Sequence, residues 1–576
     1  MNILILGAGL MQKPAILSAK EEGYTVCVID ADDKAVAIPF ADTFRKIDLK
    51  DKDGILAYAQ ELKNSPDGLA AVFTAGTDFS ASVSYVCEKL GLPGHSYQAA
   101  TNASVKTQMR QCFLESGVPS PAFIKVGKED LNENLLAKCL EKMDFPFVVK
   151  PVDNMGARGC RMVRSEKEFL PALQIATQVS RSGFAIVEEY MDGPEFSIDA
   201  LVYNGTFTVT GFAIRHIHYP PYFIEVGHTM PAILDKNTHD QLISVFALGA
   251  KSLGLTCGAA KADIKFTKKG PMIGEIAGRL SGGYMSGWTY PYASDLNLTK
   301  EALKIAAGKE PDLLIKNRQR VDFLPSELCG KIASPGVKTA TPGVPSPRPG
   351  EPSTHPGVPN TAPGAKIPAP YALFEIPCKR TCAERAWMSI PGTVEYIENI
   401  TEYTDKAVFD TLPRATVTIG GKVDFPRNNV EKCGNIIAVS HNRDIAIQAA
   451  QDAVSNIFIT LKPNTKSTDD YLAGLTQDDE EDFPPSAFGK LSADHLSTIT
   501  GRIPADQKVS DYIPEILTSA EYKDKMDWNY NTIKTTAQKF DILRKKHPPL
   551  DAKKFWSALV RGGLQAAVYL SDSNLG

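Results

Sequence analysis

At roughly 150 residues per domain, a chain of 576 residues has room for about four domains. Apolar residues make up 43% and charged residues 23%, a balance that lets several cores form and excludes wholesale disorder. Lys and Arg number 63 against 67 Asp and Glu, a net charge of −4, whereas a dedicated nucleic-acid binder normally carries a basic excess.

Residues 2–6 read as a strand, 13–22 as a helix and 25–30 as a second strand. A further strand at 71–74 and a helix at 80–90 continue the alternation, which predicts a parallel, doubly wound sheet. The opening MNILILGAGLM carries no Lys or Arg and no small-residue cleavage site, so it reads as a strand and tight turn, not a signal peptide. Gly7-Ala8-Gly9 followed by Asp30 invites a dinucleotide-binding reading, but Gln12 stands where the third glycine would permit close helix–strand packing. Plain turn chemistry is therefore expected.

A linking helix is predicted over 104–116, stopped by Gly117-Val118-Pro119. From about 120 to 305, strands at 147–150, 160–164, 185–189 and 196–203 mix with helices at 166–180 and 237–253, an α+β pattern. Eleven of the residues in 335–370 are proline, with Pro-Gly-Val at 335, 342 and 356, which predicts an extended low-complexity surface insertion. Strand-like runs resume at 392–398, 414–418 and 435–439, followed by a helix at 443–457. Beyond 466 an acidic cluster, Asp478 to Asp482, precedes a tail whose apolar residues, Trp528 and Trp556 among them, recur at helical spacing. No stretch approaches 18 consecutive apolar residues, so no spanning helix is expected. The ten cysteines are scattered, and the close pair Cys378 and Cys382 lacks a second pair at zinc spacing. Reduced structural thiols in a cytoplasmic protein are expected.

Three segments carry candidate chemistry. Phe147-Val148-Val149-Lys150 is an apolar strand that delivers a lysine to the glycine-bearing loop from Asp153 to Cys160, where backbone N–H groups and a point charge suit phosphate oxygens. Ile186 to Phe196 joins two strands through Glu188, Glu189, Met191 and Glu195. Such a connection can offer backbone groups to an adenine edge and a carboxylate to ribose hydroxyls. Last, Asp263 and Glu275 lie on runs joined by Lys268-Lys269-Gly270, a turn that would set the two carboxylates side by side. Paired hard carboxylates suit Mg²⁺. Arg279 follows Glu275 by one helical turn's spacing and could neutralise a transferring phosphoryl group, with Gly282 and Gly283 as backbone donors.

These three segments, in this order, resemble the ATP-grasp superfamily, over roughly residues 1–460. The alanine at Ala277 and the segment Glu225-Val226-Gly227-His228-Thr229-Met230-Pro231 are similar to the branch that contains bacterial L-amino acid ligases. The resemblance implies an α/β plus α+β architecture: a doubly wound pre-ATP-grasp domain at 1–103, an ATP-grasp core at 104–320 and a C-terminal lid-associated region at 371–462; composition and spacing add the Pro-rich insertion at 335–370 and a mostly helical appendage at 466–576 that matches no part of the family. It further implies that Lys106 and Lys150, with Gly156 and Gly159 of the loop, contact ATP phosphates. Glu188, Glu189, Met191 and Glu195 would take the adenine and ribose, and Asp263 and Glu275 the metal. Arg279 would be the transition-state arginine and His228 a substrate-side residue. Many members carry Glu at the position of Asp263 and Asn at that of Ala277.

The implied activity is ATP- and Mg²⁺-dependent (or Mn²⁺-dependent) ligation of a small carboxylate, such as an amino acid, to an amine or thiol through an acyl phosphate. An ATP-dependent carboxylase, a purine-pathway ligase or a catalytically lost nucleotide-binding scaffold are the alternatives. Arg215 to Tyr222 is a candidate lid or substrate loop, its histidines either surface groups or a base toward the amine. Partners are expected to be small molecules rather than nucleic acid or membrane, with the tail available for oligomerisation or a protein partner.

Overall fold

The computed structural model describes residues 1–132, 134–324, 369–399, 407–414, 417–475 and 483–573. The Pro-rich stretch through residue 368 and the acidic cluster lie outside the described residues.

The first region is a parallel sheet of β1 (Asn2–Leu6), β2 (Thr25–Asp30), β3 (Thr43–Lys46) and β4 (Leu69–Phe73), in the order β3-β2-β1-β4. All five residues of β1 are buried, because helices cover both faces. Ile3 and Ile5 pack with α1 (Lys13–Glu21), while Leu4 and Leu6 pack with α2 (Lys52–Asn64) and α3 (Ser80–Leu90). The first βα turn is closed from within. Ala8 N donates to Asp30 Oδ2 at 2.8 Å, and Ala75 N donates to Gln12 Oε1 at 3.0 Å. Asp30 and Gln12 are thus engaged in the turn, as plain turn chemistry requires.

Where one linking helix was expected, two occur: α4 (Tyr97–Ser104) and α5 (Lys106–Glu115). Val105 between them is extended (φ −105°, ψ 106°), and the adjoining Lys106 N donates to Val152 O at 3.1 Å. That bond to a neighbouring strand end replaces the helical one and seats Lys106 at the start of α5.

A small antiparallel sheet follows, made of β5 (Phe123–Val126), β6 (Phe147–Pro151), β7 (Arg161–Val163) and β8 (Ala185–Glu189) in the order β5-β8-β6-β7. It is backed by α6 (Asn134–Leu140) and α7 (Glu166–Val179), which share its core.

The large sheet contains β9 (Glu195–Tyr203), β10 (Thr206–His218), β11 (Ile224–Met230), β12 (Gly258–Thr267) and β13 (Gly270–Ala277). Helix α8 (Lys236–Leu253) packs on these strands. Residues beyond 370 extend the same sheet through β14 (Thr381–Trp387), β15 (Val408–Pro413) and β16 (Gly434–Ser440), giving the path β13-β12-β9-β10-β11-β14-β16-β15. The join is the antiparallel pair β11–β14, with His228 opposite Glu384 and Gly227 opposite Arg385. Gly227 is required there: its φ is +156°, and a Cβ would run into the Glu384 carbonyl.

Three expectations are corrected. Arg215 to His218, anticipated as part of a lid loop, form the end of a 13-residue strand paired with β9 and β11, which confines the loop to residues 219–223. Of the strand anticipated at 414–418, residues 415–416 lie outside the described residues, and the described strand nearby is β15, which ends at Pro413. The tail is only partly helical. Its described helices are Lys466–Ala473, Ala493–Thr498, Ile533–Leu543 and Ala552–Asp572, and the stretch 499–532 is largely irregular and 3₁₀, where Pro504 and Pro514 forbid continuous helix.

Nor is the tail a loose appendage. Trp528, Phe555 and Trp556 share one apolar cluster with Trp387, Phe425 and Leu461, and Gln565 Nε2 donates to Ser389 Oγ at 2.9 Å and Ile459 O at 3.0 Å. The nine described cysteines are free, and no described helix is long and apolar enough to cross a membrane. Trp556 is fully buried in the shared cluster, so Trp556→Ala is expected to cost about 3–5 kcal/mol by cavity creation. Urea unfolding should show one earlier transition; an unchanged midpoint would contradict the shared core.

Candidate functional site

Between the small sheet and the large one lies a cavity of about 450 Å³. The chain builds its walls from all the described regions up to residue 432. Met11 and Gly76 come from the turns that follow β1 and β4, Lys106 from α5, Lys150 and the loop after it from the small sheet, and Asn429, Val430 and Lys432 from the C-terminal region. Of the anticipated site residues, Lys106, Lys150, Gly156, Glu188, Glu189, Met191, Glu195, Asp263, Glu275 and Arg279 line it. Gly159 and His228 do not.

Gly159 serves packing. Its φ is +69°, and a Cβ would collide with Val179 of α7. Gly156, also at positive φ (+68°), sits in the cavity wall with its carbonyl accepting from Asn429 N at 2.9 Å, so the loop is pinned to the C-terminal region.

The small sheet delivers Lys150 from β6 directly opposite β8, where Glu188 Oε2 meets Lys150 Nζ at 2.7 Å and Glu188 Oε1 accepts from Arg110 Nε at 2.8 Å. Burial would raise the Glu188 carboxyl, but Arg110 and Lys150 outweigh it and hold the group below the usual carboxylate range. The Glu188 side chain is therefore a buried counter-ion that orients Lys150, not a free contact for adenine. Glu189 pairs with Lys269, and the Met191 carbonyl accepts from Lys265 Nζ at 3.1 Å.

The carboxylate pair stands as the turn predicted. Asp263 of β12 and Glu275 of β13 are register partners, and both side chains line the cavity. Asp263 Oδ2 lies 3.1 Å from Arg215 Nη1 and is also paired with Lys261, whereas its Oδ1 is buried with no hydrogen-bond partner. Glu275 lies 3.5 Å from Lys106 Nζ. Burial pushes Glu275 up, but Lys106, Lys150, Lys261 and Arg279 together hold it at about 2, so it is ionised at any physiological pH.

Arg215 was missed as a site residue because its strand was read as a loop. Its guanidinium joins three strands, with Nη1 2.6 Å from Glu195 and 3.1 Å from Asp263, and Nε 2.7 Å from Glu225. Glu225, which the Glu-x-Gly-His segment did flag, lines the cavity and is ion-paired with Lys432 at 3.7 Å.

His228 lies behind Glu225. Its Nδ1 is 2.6 Å from Glu384 Oε2 and its Nε2 is 3.4 Å from Glu225 Oε2, the latter without hydrogen-bond geometry. Burial would lower its pKa, but Glu225 and Glu384 raise it to about 9, so it is a buried cation. Such a group cannot accept a proton near neutrality, and it acts on the cavity only through Glu225. His216, half-buried, is held neutral by burial at about 3. Arg279 keeps a buried, unpartnered Nε, and its Nη1 donates to Leu280 O at 3.0 Å. The following Ser281 is fixed by Asp199, whose Oδ2 accepts from Ser281 N at 3.0 Å and Oγ at 2.7 Å.

Comparison with known proteins bears on this arrangement. Residues 143–287 match the ATP-grasp domain family. The chain is 24% identical over 350 residues to carnosine synthase 1 of Mus musculus, covering 57% of this chain and 42% of that protein. It is 28% identical over 243 residues to alanine–anticapsin ligase of Bacillus subtilis (strain 168), covering 38% and 50%. The structure of an L-amino acid ligase from Bacillus licheniformis superposes with a TM-score of 0.60 at 19% identity, over 80% of this chain and 98% of that one. The chain spans about half the length of the curated relatives it matches. The match spans Lys150, Asp263, Glu275 and Arg279, so this part of the chain is an ATP-grasp domain.

Proposed function

We propose that the protein is an ATP- and Mg²⁺-dependent ligase that joins a small carboxylate, such as an amino acid, to an amine or thiol, releasing ADP and phosphate. One observation carries this: Lys106, Lys150 and Arg279 converge in the same cavity as the opposed carboxylates Asp263 and Glu275. A relative that is an alanine–anticapsin ligase supports the substrate class.

Mg²⁺ suits the donor set. Asp263 Oδ1 is a buried oxygen without a partner, and two carboxylates are what this ion takes when phosphate oxygens and water complete its shell. Among the described residues no cluster of three or more metal-ligating side chains exists, which favours a shared site over an all-protein cage. Held by Asp263 and Glu275, the ion would supply charge neutralisation for the phosphate oxygens.

In the proposed reaction the substrate carboxylate attacks the γ-phosphorus and ADP departs. The amine then attacks the acyl carbon, loses a proton, and phosphate leaves. Lys150 and Lys106 hold phosphate oxygens, and Arg279 spreads the charge that develops on the transferring group. Glu188 keeps Lys150 oriented, and His228 keeps Glu225 in place from behind.

A non-catalytic nucleotide-binding scaffold is the second reading, favoured by Ala277, which lines the cavity near Glu275 with a methyl where related proteins often place Asn. ATP binding without ADP release over a broad panel of acids and amines would decide for it.

Lys150→Ala is expected to lower ADP release on a productive acid–amine pair by about 10²–10³-fold; undiminished turnover contradicts the assignment. Asp263→Asn should raise the Mg²⁺ concentration for half-maximal turnover by about tenfold or more, read by Mg²⁺ titration. The His228 pKa is raised in the folded state, so its contribution is full below pH 6.5 and is lost as pH rises to about 9. Thermal stability should fall across that window by on the order of 3 kcal/mol, and His228→Gln should flatten the profile.

A further inference from the structure

The Gly7-Ala8-Gly9 turn leads into Gln12, a side chain that no step of the proposed reaction uses. Gln12 is fully buried and does not line the cavity. Its amide is bonded to both backbone groups of Ala75: Ala75 N donates to Oε1 at 3.0 Å, and Nε2 donates to Ala75 O. A primary amide used this way stands in for a neighbouring strand. It fixes the turn after β4 through a donor and an acceptor at once, and burial leaves neither group a solvent alternative.

That turn is where the first sheet reaches the cavity. Ala75 pairs in parallel with Leu280, and Gly76 N donates to Leu280 O at 3.3 Å. Leu280 O accepts a second bond, from Arg279 Nη1 at 3.0 Å. Two residues past Gly76, Asp78 Oδ1 lies 3.8 Å from Arg279 Nη2. The contact is close-packed as well as polar, since a Cβ on Gly76 would lie 3.2 Å from Gly282 Cα and 3.3 Å from Met11 Cβ. Residues 75–78 thus bear on the Arg279 guanidinium by two routes, the Leu280 carbonyl that accepts its bond and the Asp78 carboxylate. Arg279 Nε, buried with no hydrogen-bond partner, adds no further hold.

We propose that Gln12 is a positioning residue: its amide sets the turn at 75–78, and that turn sets the direction of the Arg279 guanidinium. The inference rests on the ligase reading and extends it to a side chain that touches no substrate. A guanidinium stabilises charge developing on a transferring phosphoryl group only if it already points there, and a displacement of about 1 Å costs on the order of 10²-fold in rate. The Gly-x-Gly turn, which in a dinucleotide-binding fold would face a phosphate, here leads to a glutamine that acts on the cavity through Ala75, Gly76 and Leu280.

The test uses the full chain. Gln12→Met keeps the length of the side chain but leaves both Ala75 groups unbonded. Ile5→Val removes one buried methylene from the core that holds Ala75 and controls for lost stability. For an acid–amine pair that gives ADP release, kcat per folded molecule in Gln12→Met should fall by about 10- to 100-fold, with KM for ATP within about twofold. Ile5→Val should keep kcat within about twofold. Added to Arg279→Lys, Gln12→Met should lower kcat by less than about twofold further, because the guanidinium it directs is already gone. A purely structural glutamine would lower the unfolding midpoint and leave kcat per folded molecule unchanged, or would act in full on top of Arg279→Lys. Either result overturns the proposal, as does an equal fall in Ile5→Val. If no pair releases ADP, the ligase reading fails by itself, and hydrogen exchange of the free protein decides whether Gln12 holds the Arg279 segment. Faster exchange in Gln12→Met confined to the amides of 75–78 and 279–283 upholds the link. Unchanged exchange at 279–283, or an increase spread over the whole first sheet, overturns it.

Discussion

Arg215 is the charge on which the cavity depends. Its guanidinium touches Glu195 on β9, Glu225 on β11 and Asp263 on β12, three carboxylates that would otherwise repel one another in a poorly hydrated space. Three acceptors around one planar cation also fix the relative positions of three strands, and so set where the Asp263–Glu275 pair stands. Burial works against the charge on Arg215, yet the carboxylates Asp263, Glu225 and Glu195 outweigh it and hold its pKa well above the ordinary value. The same logic repeats around Glu188, held between Lys150 and Arg110, and around His228, held between Glu225 and Glu384. Lys150, Asp263 and Glu225 are thus each held by an opposite charge packed against them.

Those charges are spread over chain segments far apart in sequence, and the large sheet is what joins them. The β11–β14 pairing carries the sheet from the ATP-grasp domain into the C-terminal region and places Glu384 behind His228. From the other side the Gly156 carbonyl and Asn429 N bind the glycine-bearing loop to that region. The loop at 219–223 is tied in as well: Met162 N of β7 donates to Pro221 O at 2.7 Å, and the Tyr222 ring lies 4.6 Å from Phe483 in the tail. The tail thus buttresses the same hairpin end that faces the small sheet, which gives its dense packing a consequence for the site.

The legible parts of this fold were those with short-range signatures. Strand β1, with five buried residues, and the β12–β13 turn at Lys268 to Gly270 follow from apolar runs and local turn chemistry. The lysine on β6 and the Asp263–Glu275 juxtaposition needed only a two-residue period and a hairpin. Strand β10 was not legible, because its outer end carries Arg215, His216 and His218, polar residues that resemble a surface loop until three distant carboxylates neutralise one of them. Gly159 read as a phosphate contact because a positive φ and close packing leave the same mark in sequence as a ligand approach. The tail read as helix because its aromatic spacing recurs, although those rings pack into a core shared with β14 and β16.

By itself, the sequence determined the order of the elements, the parallel first sheet, the ATP-grasp domain and most of the anticipated residues that line one cavity, since each rests on contacts a few residues apart. Only the tertiary structure decided what those side chains are free to do. It showed Glu188 consumed by Lys150 and Arg110, and His228 withdrawn behind Glu225. It also brought Arg215 in as the central cation and left Arg414 without a carboxylate partner among the described residues. The reason is electrostatic: whether a buried charge is matched depends on every neighbour within a few ångströms, and those neighbours come from strands up to two hundred residues apart.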